Sequence, residues 1–387
     1  MKILIVHNLL WAHYKAKVFQ EVDRLARTYP DVEVKVLQIA RNEKSRKGLE
    51  TSDPDTPVYH YRYELLFDAF IEDTTVKQRT KALLQHIRSY QPDVLNLTGY
   101  YDPAQLALLL YAKLTGIKVI MQNESTAADH TRGGLKERLK KAIFRLCDGF
   151  FCFGTLSADY LTSSGVKPSQ ILLKKNAVDN DALLEAWTRA RQTRTGQQQA
   201  LGLKPHNFIF VGRLIEVKNL IRLVEAFASV RQTNPDWGLI LLGEGPMSGA
   251  IQQRARELNV ADAVTSLPGR AWYKVPDILA LADVLVLPSL SEPWGLVVNE
   301  AMVCGMPVIV SDRCGCVVDL VRDQQNGFVI DPGQTPQLAG VMHRFMTGEV
   351  DQAAMGAVAQ EMIRPYSAGA VAREMLEGFL TIHRTRR

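Results

Sequence analysis

The stretch "SEPWGLVVNEAMVCGMPVI", residues 291–309, places two glutamates eight positions apart around a predicted helix start. It follows the apolar run "DVLVLP", which is typical of a buried strand. Its proline suits a first helical turn, and Gly295 lets a ligand approach the backbone. A helix over residues 295–304 would offer free N–H groups and a positive dipole end to an anion. Glu292 precedes this helix, and Glu300 lies about one and a half turns inside it.

Both carboxylates are within reach of a ligand whose phosphate lies at the helix start. They would accept hydrogen bonds from hydroxyl groups on either side of that phosphate. A nucleoside diphosphate linked to a sugar fits this arrangement, because it carries a sugar on one side and a ribose on the other. The alternative is that Glu300 is a solvated helix residue and Glu292 a helix cap.

A second polar element, "FVGRLIEVKN" at residues 210–219, follows another apolar run. After Gly212 it carries Arg213 and Lys218, five residues apart, at the predicted mouth of a strand. Arginine supplies a planar fork and lysine a point charge, so the two can hold both phosphates of a diphosphate. They would also offset the charge that builds on a departing diphosphate. The alternative is a pair of surface cations.

These elements occur with two others in a familiar order and spacing. The others are "GEGP" at 243–246 and "LPG" at 267–269. With its Gly-Arg-x4-Lys and E-x7-E elements, the chain resembles the retaining nucleotide-sugar glycosyltransferases of family four, which have the GT-B fold. The resemblance is dense over residues 207–330. It is thinner before them, where "KKNAVDN" (174–180) is similar to the segment that leads out of the family's first domain.

The resemblance implies a catalytic and donor-binding role for specific residues. Arg213 and Lys218 would hold the diphosphate, Glu292 the hydroxyls of the donor sugar, and Glu300 the ribose. Gly269 and Arg270 would lie beside the base. The other expected donor contacts are Gly212, Ser291, and the backbone N–H groups of Trp294, Gly295 and Leu296. The expected donor is a UDP-sugar in slight preference to a GDP-sugar. No metal is expected, because no Asp-x-Asp cluster stands at a strand end.

The rest of the chain alternates short apolar runs with helical patterns, which predicts parallel sheets covered on both faces. The polar stretch 188–205 lacks a strand signal and suggests a domain boundary. We therefore predict two doubly wound Rossmann-like domains facing each other across a cleft: 1–190 on the acceptor side and 191–366 on the donor side. The resemblance implies that a last helix, within 367–387, packs back on the first domain. Strands are predicted at 2–7, 32–39, 93–98, 118–122, 149–153, 207–211, 238–242, 263–267, 283–287, 307–310 and 327–330.

The acceptor side departs from the common family pattern. The loop "HNLLWAHYK" has no glycine, and "MQNESTAADHTR" stands where many relatives carry a histidine. Asn123 and Glu124 occupy the place near the reacting carbon, with Asp129, His130 and Arg132 close behind. Glu124 would orient or deprotonate the acceptor hydroxyl, or else cap the next segment. His7 and Tyr100 are candidate acceptor contacts, with a structural role as the alternative.

Composition sets outer limits on the function. The chain has 387 residues and a formal net charge of +5, too weak a basic bias to indicate nucleic acid. Neither a signal peptide nor a membrane span is apparent, so a cytoplasmic location is expected. The helical pattern at 133–147 has Leu135, Leu139, Ile143 and Leu146 on one stripe among many cations. It predicts either peripheral contact with an anionic membrane at its inner face or a solvated face over an ordinary core stripe.

The expected activity is transfer of a sugar from a nucleotide donor to an acceptor hydroxyl with retention. Bacterial polysaccharide, glycolipid or glycoside synthesis would use such a reaction, and the acceptor itself is not indicated. A nucleotide-sugar hydrolase or epimerase of the same fold is one alternative. A non-catalytic scaffold is another, although the intact arginine, lysine and two glutamates count against it.

Overall fold

The structure is a computed structural model that describes residues 1–10, 12–44, 56–126 and 135–385, with only the backbone of residues 135 and 136. The chain forms two compact units. Unit 1 comprises residues 1–178 together with 366–387, and unit 2 comprises residues 179–365. Among the residues described, no helix has both the length and the apolar character that crossing a bilayer requires.

Unit 1 is a seven-stranded parallel sheet with helices on both faces. Its strands are β1 (Lys2–Leu9), β2 (Glu33–Asn42), β3 (Tyr63–Phe70), β4 (Val94–Leu97), β5 (Lys118–Asn123), β6 (Gly149–Cys152) and β7 (Ile171–Lys174). Their spatial order is β3-β2-β1-β4-β5-β6-β7. The helices are α1 (His13–Ala26), α2 (Val76–Tyr90), α3 (Pro103–Thr115), α4 (Leu135–Arg145) and α5 (Thr155–Ser163). The order reverses between β1 and β4, and ligands bind such sheets outside the carboxyl ends of the strands at this point.

Strand β1 shows why this sheet is covered on both sides. Leu4 and Val6 belong to one buried cluster, whereas Ile3 and Ile5 belong to another. Successive side chains of a strand point to opposite faces, so an unbroken apolar run must be buried twice. The first cluster is completed by α2, α3, α4 and α5, and the second by α1.

Unit 2 is a second parallel sheet of six strands. These are β8 (His206–Val211), β9 (Trp237–Leu242), β10 (Val264–Leu267), β11 (Val284–Leu287), β12 (Val308–Ser311) and β13 (Gly327–Ile330). Their order is β10-β9-β8-β11-β12-β13, which reverses between β8 and β11. Its helices are α6 (Asn180–Arg191), α7 (Arg194–Ala200), α8 (Leu220–Arg231), α9 (Ser248–Glu257), α10 (Val275–Leu279), α11 (Leu296–Val303), α12 (Val317–Leu320), α13 (Thr335–Met346) and α14 (Gln352–Ile363). The predicted pair of doubly wound α/β sheets is confirmed.

The last helix, α15 (Ala368–Arg384), returns to unit 1 after the whole of unit 2. It packs on α1 and β7 and completes the second buried cluster. The ring of Phe379 contacts that of Phe151 edge-on, with 5.2 Å between the centroids. Ser367 caps the helix by accepting a hydrogen bond from the backbone N–H of Ala370.

The chain enters unit 2 at Asp179, twelve residues before the predicted start of the second domain at 191. The reason is that α6 packs on α10 and α11, and Arg191 donates to the carbonyl oxygen of Ala280 at 3.0 Å. The polar stretch 188–205 forms the end of α6 and all of α7. Its Gln198 is buried and donates to the carbonyl of Leu281 at 2.9 Å, so this polarity serves packing within unit 2.

Candidate functional site

The start of α11 lies directly beyond β11, at the switch point of the second sheet. Gly295 is the residue before the helix and has the left-handed φ of 91°. A Cβ there would lie 2.8 Å from Cδ2 of Leu287, so both the backbone angle and the space favour glycine. The backbone N–H groups of Gly295 and Leu296 donate to no described carbonyl or side chain. They are therefore open to an anionic ligand.

Trp294 anchors this turn from below. Its side chain is buried, and the indole N–H donates to Oδ1 of Asn299 at 2.9 Å. Trp294 is predicted to contact a ligand through its backbone N–H. Its indole is buried and is hydrogen-bonded within the protein. The hydrogen bond fixes the turn to the first coil of α11.

The loop after β12 holds the segment that carries Glu292. The backbone N–H of Glu292 donates to the carbonyl of Arg313, and the N–H of Gly315 donates back to the carbonyl of Glu292 at 2.8 Å. A Cβ at Gly315 would lie 1.9 Å from the carbonyl oxygen of Pro293. This loop positions Glu292 through backbone bonds alone. The sequence reasoning missed it, although its "CGC" glycine is visible in the chain.

Lys218 and Glu292 form an ion pair, which joins the two predicted motifs at one place. The exposed fractions of the two side chains are 14% and 17%. Lys218 ends a single helical turn, Glu216–Lys218, and the N–H of Leu290 donates to the carbonyl of Val217 at 2.8 Å. The backbone contact and the side-chain contact together hold the loop after β11 against the loop after β8.

Arg213 lies nearby in the chain but behaves differently. Its side chain is exposed and makes no hydrogen bond or ion pair to any residue that the structure describes. Gly212 before it has a φ of 148°, and a Cβ at Gly243 would lie 2.0 Å from the carbonyl oxygen of Gly212. Two neighbouring strand ends therefore approach each other through glycines.

Asn219 is a structural residue that the sequence reasoning missed. It has a left-handed φ of 60°, which asparagine tolerates better than most residues. Its side-chain amide donates to the carbonyls of Pro288 at 3.2 Å and Pro332 at 2.9 Å. The available signal was the asparagine directly after Lys218, at the start of α8.

Glu300 is half-buried in α11, and its side-chain carboxylate makes no hydrogen bond or ion pair to a described residue. Burial raises its pKa to about 7. Ser289 is fully buried in the loop after β11, and its hydroxyl oxygen has no described partner either. Polar groups that are left unbonded at low exposure cost free energy. A ligand that supplied hydroxyl donors would relieve that cost at Glu300.

The remaining predicted donor residues lie around these elements. Ser291 is half-buried beside Glu292. Gly269 and Arg270 are exposed just beyond β10, and a Cβ at Gly269 would meet no atom within 4 Å. The structure gives these two residues no hydrogen bond or ion pair to Lys218 or Glu292. They lie at the end of another strand of the same sheet.

On unit 1, His7 is held inside the sheet. Its Nδ1 lies 3.0 Å from the carbonyl of Leu9 and 3.1 Å from Oε1 of Gln38. Burial, with a smaller contribution from the charge of Lys15, lowers its pKa to about 4. His7 is therefore neutral at physiological pH and can accept or donate only as a neutral imidazole.

Asn123 and Glu124 lie at the end of β5. The side-chain amide of Asn123 donates to Oγ of Ser157 at 2.7 Å and to the carbonyl of Ser125 at 2.9 Å, whereas its buried Oδ1 has no described partner. Glu124 is exposed. Asp129, His130 and Arg132, which were predicted to follow it, lie outside the described residues.

Tyr100 is buried at the end of β4 and stacks on Tyr101, with 4.5 Å between ring centroids. Its hydroxyl donates to the Tyr101 hydroxyl at 3.3 Å and lies 3.5 Å from Oγ of Ser125. Burial raises the pKa of Tyr100 well above its usual value, so the phenol stays protonated. Strands β4 and β5 thus bring Tyr100 and Ser125 together beyond their carboxyl ends.

Lys15 is a buried cation of unit 1 that the sequence reasoning missed. Its Nζ lies 3.6 Å from the centroid of the Phe153 ring. Burial lowers its pKa to about 8, and the Glu124 carboxylate opposes that shift. The signal was a lysine within the apolar stripe of α1. The residues that the structure describes contain no group of three His, Cys, Asp or Glu side chains suited to a metal ion.

With this geometry in hand, the chain can be compared with known proteins. Residues 192–362 match the family profile described as "Glycosyl transferases group 1". The D-inositol 3-phosphate glycosyltransferase of Rhodococcus erythropolis is 31% identical over 195 residues, which are 48% of this chain and 44% of that protein. The alpha-D-kanosaminyltransferase of Streptomyces kanamyceticus is 22% identical over 241 residues, or 62% of each chain. The chain thus matches these relatives over less than two thirds of their length.

Two solved structures resemble the chain over almost its whole length. HepE from Anabaena, solved in complex with UDP and glucose, has a TM-score of 0.73 at 17% identity, covering 98% of this chain and 100% of that one. Sucrose-phosphate synthase from Thermosynechococcus elongatus has a TM-score of 0.74 at 19% identity, covering 99% of both chains. Unit 2 is thus matched to the group 1 glycosyltransferases from residue 192 to residue 362, and the chain as a whole has the two-unit α/β architecture of GT-B glycosyltransferases.

Proposed function

We propose that the protein is a retaining glycosyltransferase that moves a hexosyl group from a nucleoside diphosphate sugar to an acceptor hydroxyl. The observation that carries this proposal is the contact between Lys218 and Glu292 next to the open N–H groups of Gly295 and Leu296. It brings a cation, a carboxylate and a helix start together beyond the carboxyl ends of β8 and β11. The family match over residues 192–362 supports the same assignment.

The ion pair suggests how the donor is taken up. A diphosphate at the start of α11 would draw Lys218 and the exposed Arg213 to its oxygens. Glu292 would then be released to accept hydrogen bonds from the sugar. During transfer, the bond from the anomeric carbon to the phosphate oxygen breaks, and its electron pair leaves with the diphosphate. The acceptor oxygen bonds to the same face of that carbon, and its proton passes to the departing phosphate oxygen. The two cations and the helix start offset the leaving charge.

The nucleotide is proposed to be uridine, in slight preference to guanosine. HepE, which shares the fold, was solved with UDP and glucose. In this chain Glu300 would accept the ribose hydroxyls, and the open space at Gly269 with Arg270 would lie beside the base. The reaction is proposed to proceed without a metal ion. Activity that survives exhaustive chelation would support this part of the proposal, and its loss would refute it.

On unit 1, Glu124 and Asn123 are proposed to meet the acceptor hydroxyl, with Tyr100 and His7 behind them. The acceptor belongs to polysaccharide, glycolipid or glycoside synthesis. Two relatives are named as a D-inositol 3-phosphate glycosyltransferase and an alpha-D-kanosaminyltransferase. The proposed setting is the cytoplasm, at the inner face of the membrane. No nucleic acid takes part.

The donor can be identified by thermal shift with UDP-, GDP- and ADP-sugars, followed by mass spectrometry of products. We expect stabilisation by a UDP-sugar and a glycosylated acceptor whose anomeric configuration, read by NMR, equals that of the donor. Inversion would contradict the retaining mechanism. Release of free sugar faster than any transfer would favour the hydrolase alternative, and no binding of any nucleotide would favour the scaffold.

The phosphate assignment is tested by Lys218→Ala. We expect kcat to fall by about 100- to 1000-fold, the usual loss for one preorganised charged group. The matched control is Lys204→Ala, which removes a lysine paired with the exposed Asp262 in the same unit. That variant should keep its turnover, because an exposed pair contributes little. Unchanged turnover in Lys218→Ala would show the assignment to be wrong.

A further inference from the structure

Helix α3 presents two leucines to solvent on the outer surface of unit 1. The exposed fractions of Leu110 and Leu114 are 55% and 88%. The buried face of α3 is a separate one, formed by residues such as Leu108 and Ala112. The outward leucines therefore add nothing to the core. The helix "PAQLALLLYAKLT" contains no acidic residue that would repel an anionic partner.

Helix α4 packs into the same buried cluster of unit 1. Leu139, which the sequence analysis placed on one stripe with Ile143, is 60% exposed, whereas Ile143 is buried. The stripe is therefore only partly in the core. Arg138 and Arg145 are exposed on the same outer side of α4.

The two helices belong to one face of unit 1. They connect the neighbouring strands β4, β5 and β6, and both pack into the same buried cluster. A groove of about 840 Å³ runs along their carboxyl-terminal ends. The cations that line it are Lys113, Lys118, Lys141, Arg145 and Lys167. Asp148 is its single acidic lining residue among those described, and Lys113 and Lys118 lie 3.2 and 3.6 Å from its carboxylate.

We propose that this docking face, made of Leu110, Leu114, Leu139 and the flanking cations, binds the surface of an anionic lipid bilayer. Exposed leucines, exposed arginines and a cation-lined groove on two helices of the same buried cluster match the bilayer interface, where apolar groups enter the acyl boundary and cations meet phosphate headgroups. A small soluble anion would contact the cations but would leave the leucines exposed to water. An acidic protein would satisfy the cations but gives no reason for three isolated leucines standing out from two helices. The docking face is on unit 1, whereas the proposed donor site is on unit 2. The membrane proposal therefore does not depend on which sugar is transferred.

The test is co-sedimentation of the full-length protein with vesicles. We expect binding to vesicles of phosphatidylcholine with phosphatidylglycerol. Binding should be much weaker with phosphatidylcholine alone, and it should weaken in 0.5 M salt because of screening. In the double variant Leu110→Ser/Leu114→Ser, binding should fall at least about tenfold. In Arg138→Gln/Arg145→Gln it should fall about 25-fold, since each cation near an anionic surface contributes a factor of about five.

Matched controls lie on unit 2. Leu201→Ser alters an exposed leucine, and Arg256→Gln/Arg364→Gln removes two exposed cations. These variants should bind like the native protein, and all variants should keep the native circular dichroism and melting temperature. The proposal is overturned if the native protein does not bind anionic vesicles, or if docking-face and control variants bind equally. It is also overturned if Leu110→Ser/Leu114→Ser abolishes self-association of the protein but leaves vesicle binding unchanged, because a second copy would then occupy this face.

Discussion

At the scale of single residues, Glu300 is a predicted ligand contact whose protonation depends on its surroundings. Burial without a hydrogen-bond donor raises its pKa from 4.5 to about 7. The folded protein therefore favours the protonated acid, and ionisation costs stability as the pH rises from about 4.5 to 7. A ribose that donates its hydroxyls to the carboxylate favours the ionised form instead. Donor binding and proton release from Glu300 are thus coupled.

This coupling predicts a pH dependence for donor affinity. UDP-glucose should bind with constant affinity above about pH 7 and lose up to about tenfold per pH unit below it. Glu300→Gln should bind more weakly but with no such slope between pH 5.5 and 8. Isothermal titration calorimetry in buffers of different ionisation enthalpy measures both the affinity and the proton released. A native protein with flat affinity across this range would refute the proposed contact of Glu300 with the ribose.

The same residue gives an independent stability readout. At pH 8, Glu300→Gln should be more stable than the native protein by about 1–3 kcal/mol, because a neutral amide replaces a half-buried charge. At pH 4.5 the gain should vanish. Denaturant unfolding at the two pH values checks this, and an equal effect at both would show that packing, rather than charge, decides it.

The sequence could indicate charged groups at strand ends, but not what each one contacts. Glu292 and Lys218 were predicted as separate ligand contacts, and the structure joins them in one ion pair. Asn219 and Lys15 were not singled out. The role of Asn219 depends on two carbonyls that are 69 and 113 residues away in the chain. Such contacts are set by the fold and leave no local pattern.

At the scale of elements, the two strands that the sequence analysis did not predict are both sheet edges. Strand β3 (Tyr63–Phe70) is only half-buried, and it carries Glu64, which pairs with Lys35 and His86. Strand β7 (Ile171–Lys174) has a single buried residue, Leu173. Central strands of a parallel sheet are buried twice and therefore give long apolar runs. Edge strands are buried less and resemble loops in sequence. The remaining strands, which the sequence analysis did predict, are confirmed.

The start of α11 shows how one element depends on a single backbone angle. In Gly295→Ala the left-handed conformation costs about 1–2 kcal/mol, and the new methyl group would press on Leu287. We expect the protein to lose about 2 kcal/mol of stability and UDP-glucose affinity to fall at least about tenfold, because the open N–H groups would turn away. Denaturant unfolding and calorimetry measure the two effects.

The control for this substitution is Gly340→Ala within α13. A Cβ there would meet no atom within 4 Å, and alanine is the better helix former by about 1 kcal/mol. This variant should gain a little stability and keep its donor affinity. If Gly295→Ala behaved like Gly340→Ala, the conformation of the helix start would not matter for binding.

At the scale of the whole molecule, the chain completes its first unit last. Helix α15 belongs to unit 1, yet all of unit 2 precedes it in the sequence. Its periodic apolar pattern was enough to predict a helix. Its location depends on partners such as Phe151 and Val18, which lie more than 200 residues earlier. Unit 1 therefore cannot bury its second cluster until the end of the chain is in place.

This order predicts that damage to α15 weakens unit 1 and spares unit 2. Phe379→Ala removes a fully buried ring from the second cluster and should cost unit 1 about 3–5 kcal/mol. Phe345→Ala, the matched change in α13, removes a ring that contacts Phe208 and Phe328 and should weaken unit 2 alone. Hydrogen exchange with mass spectrometry should show faster exchange in β1 and β7 for the first variant and in β8 and β13 for the second. Faster exchange in both units for either variant would mean that the two unfold as one, because independent cores should respond separately.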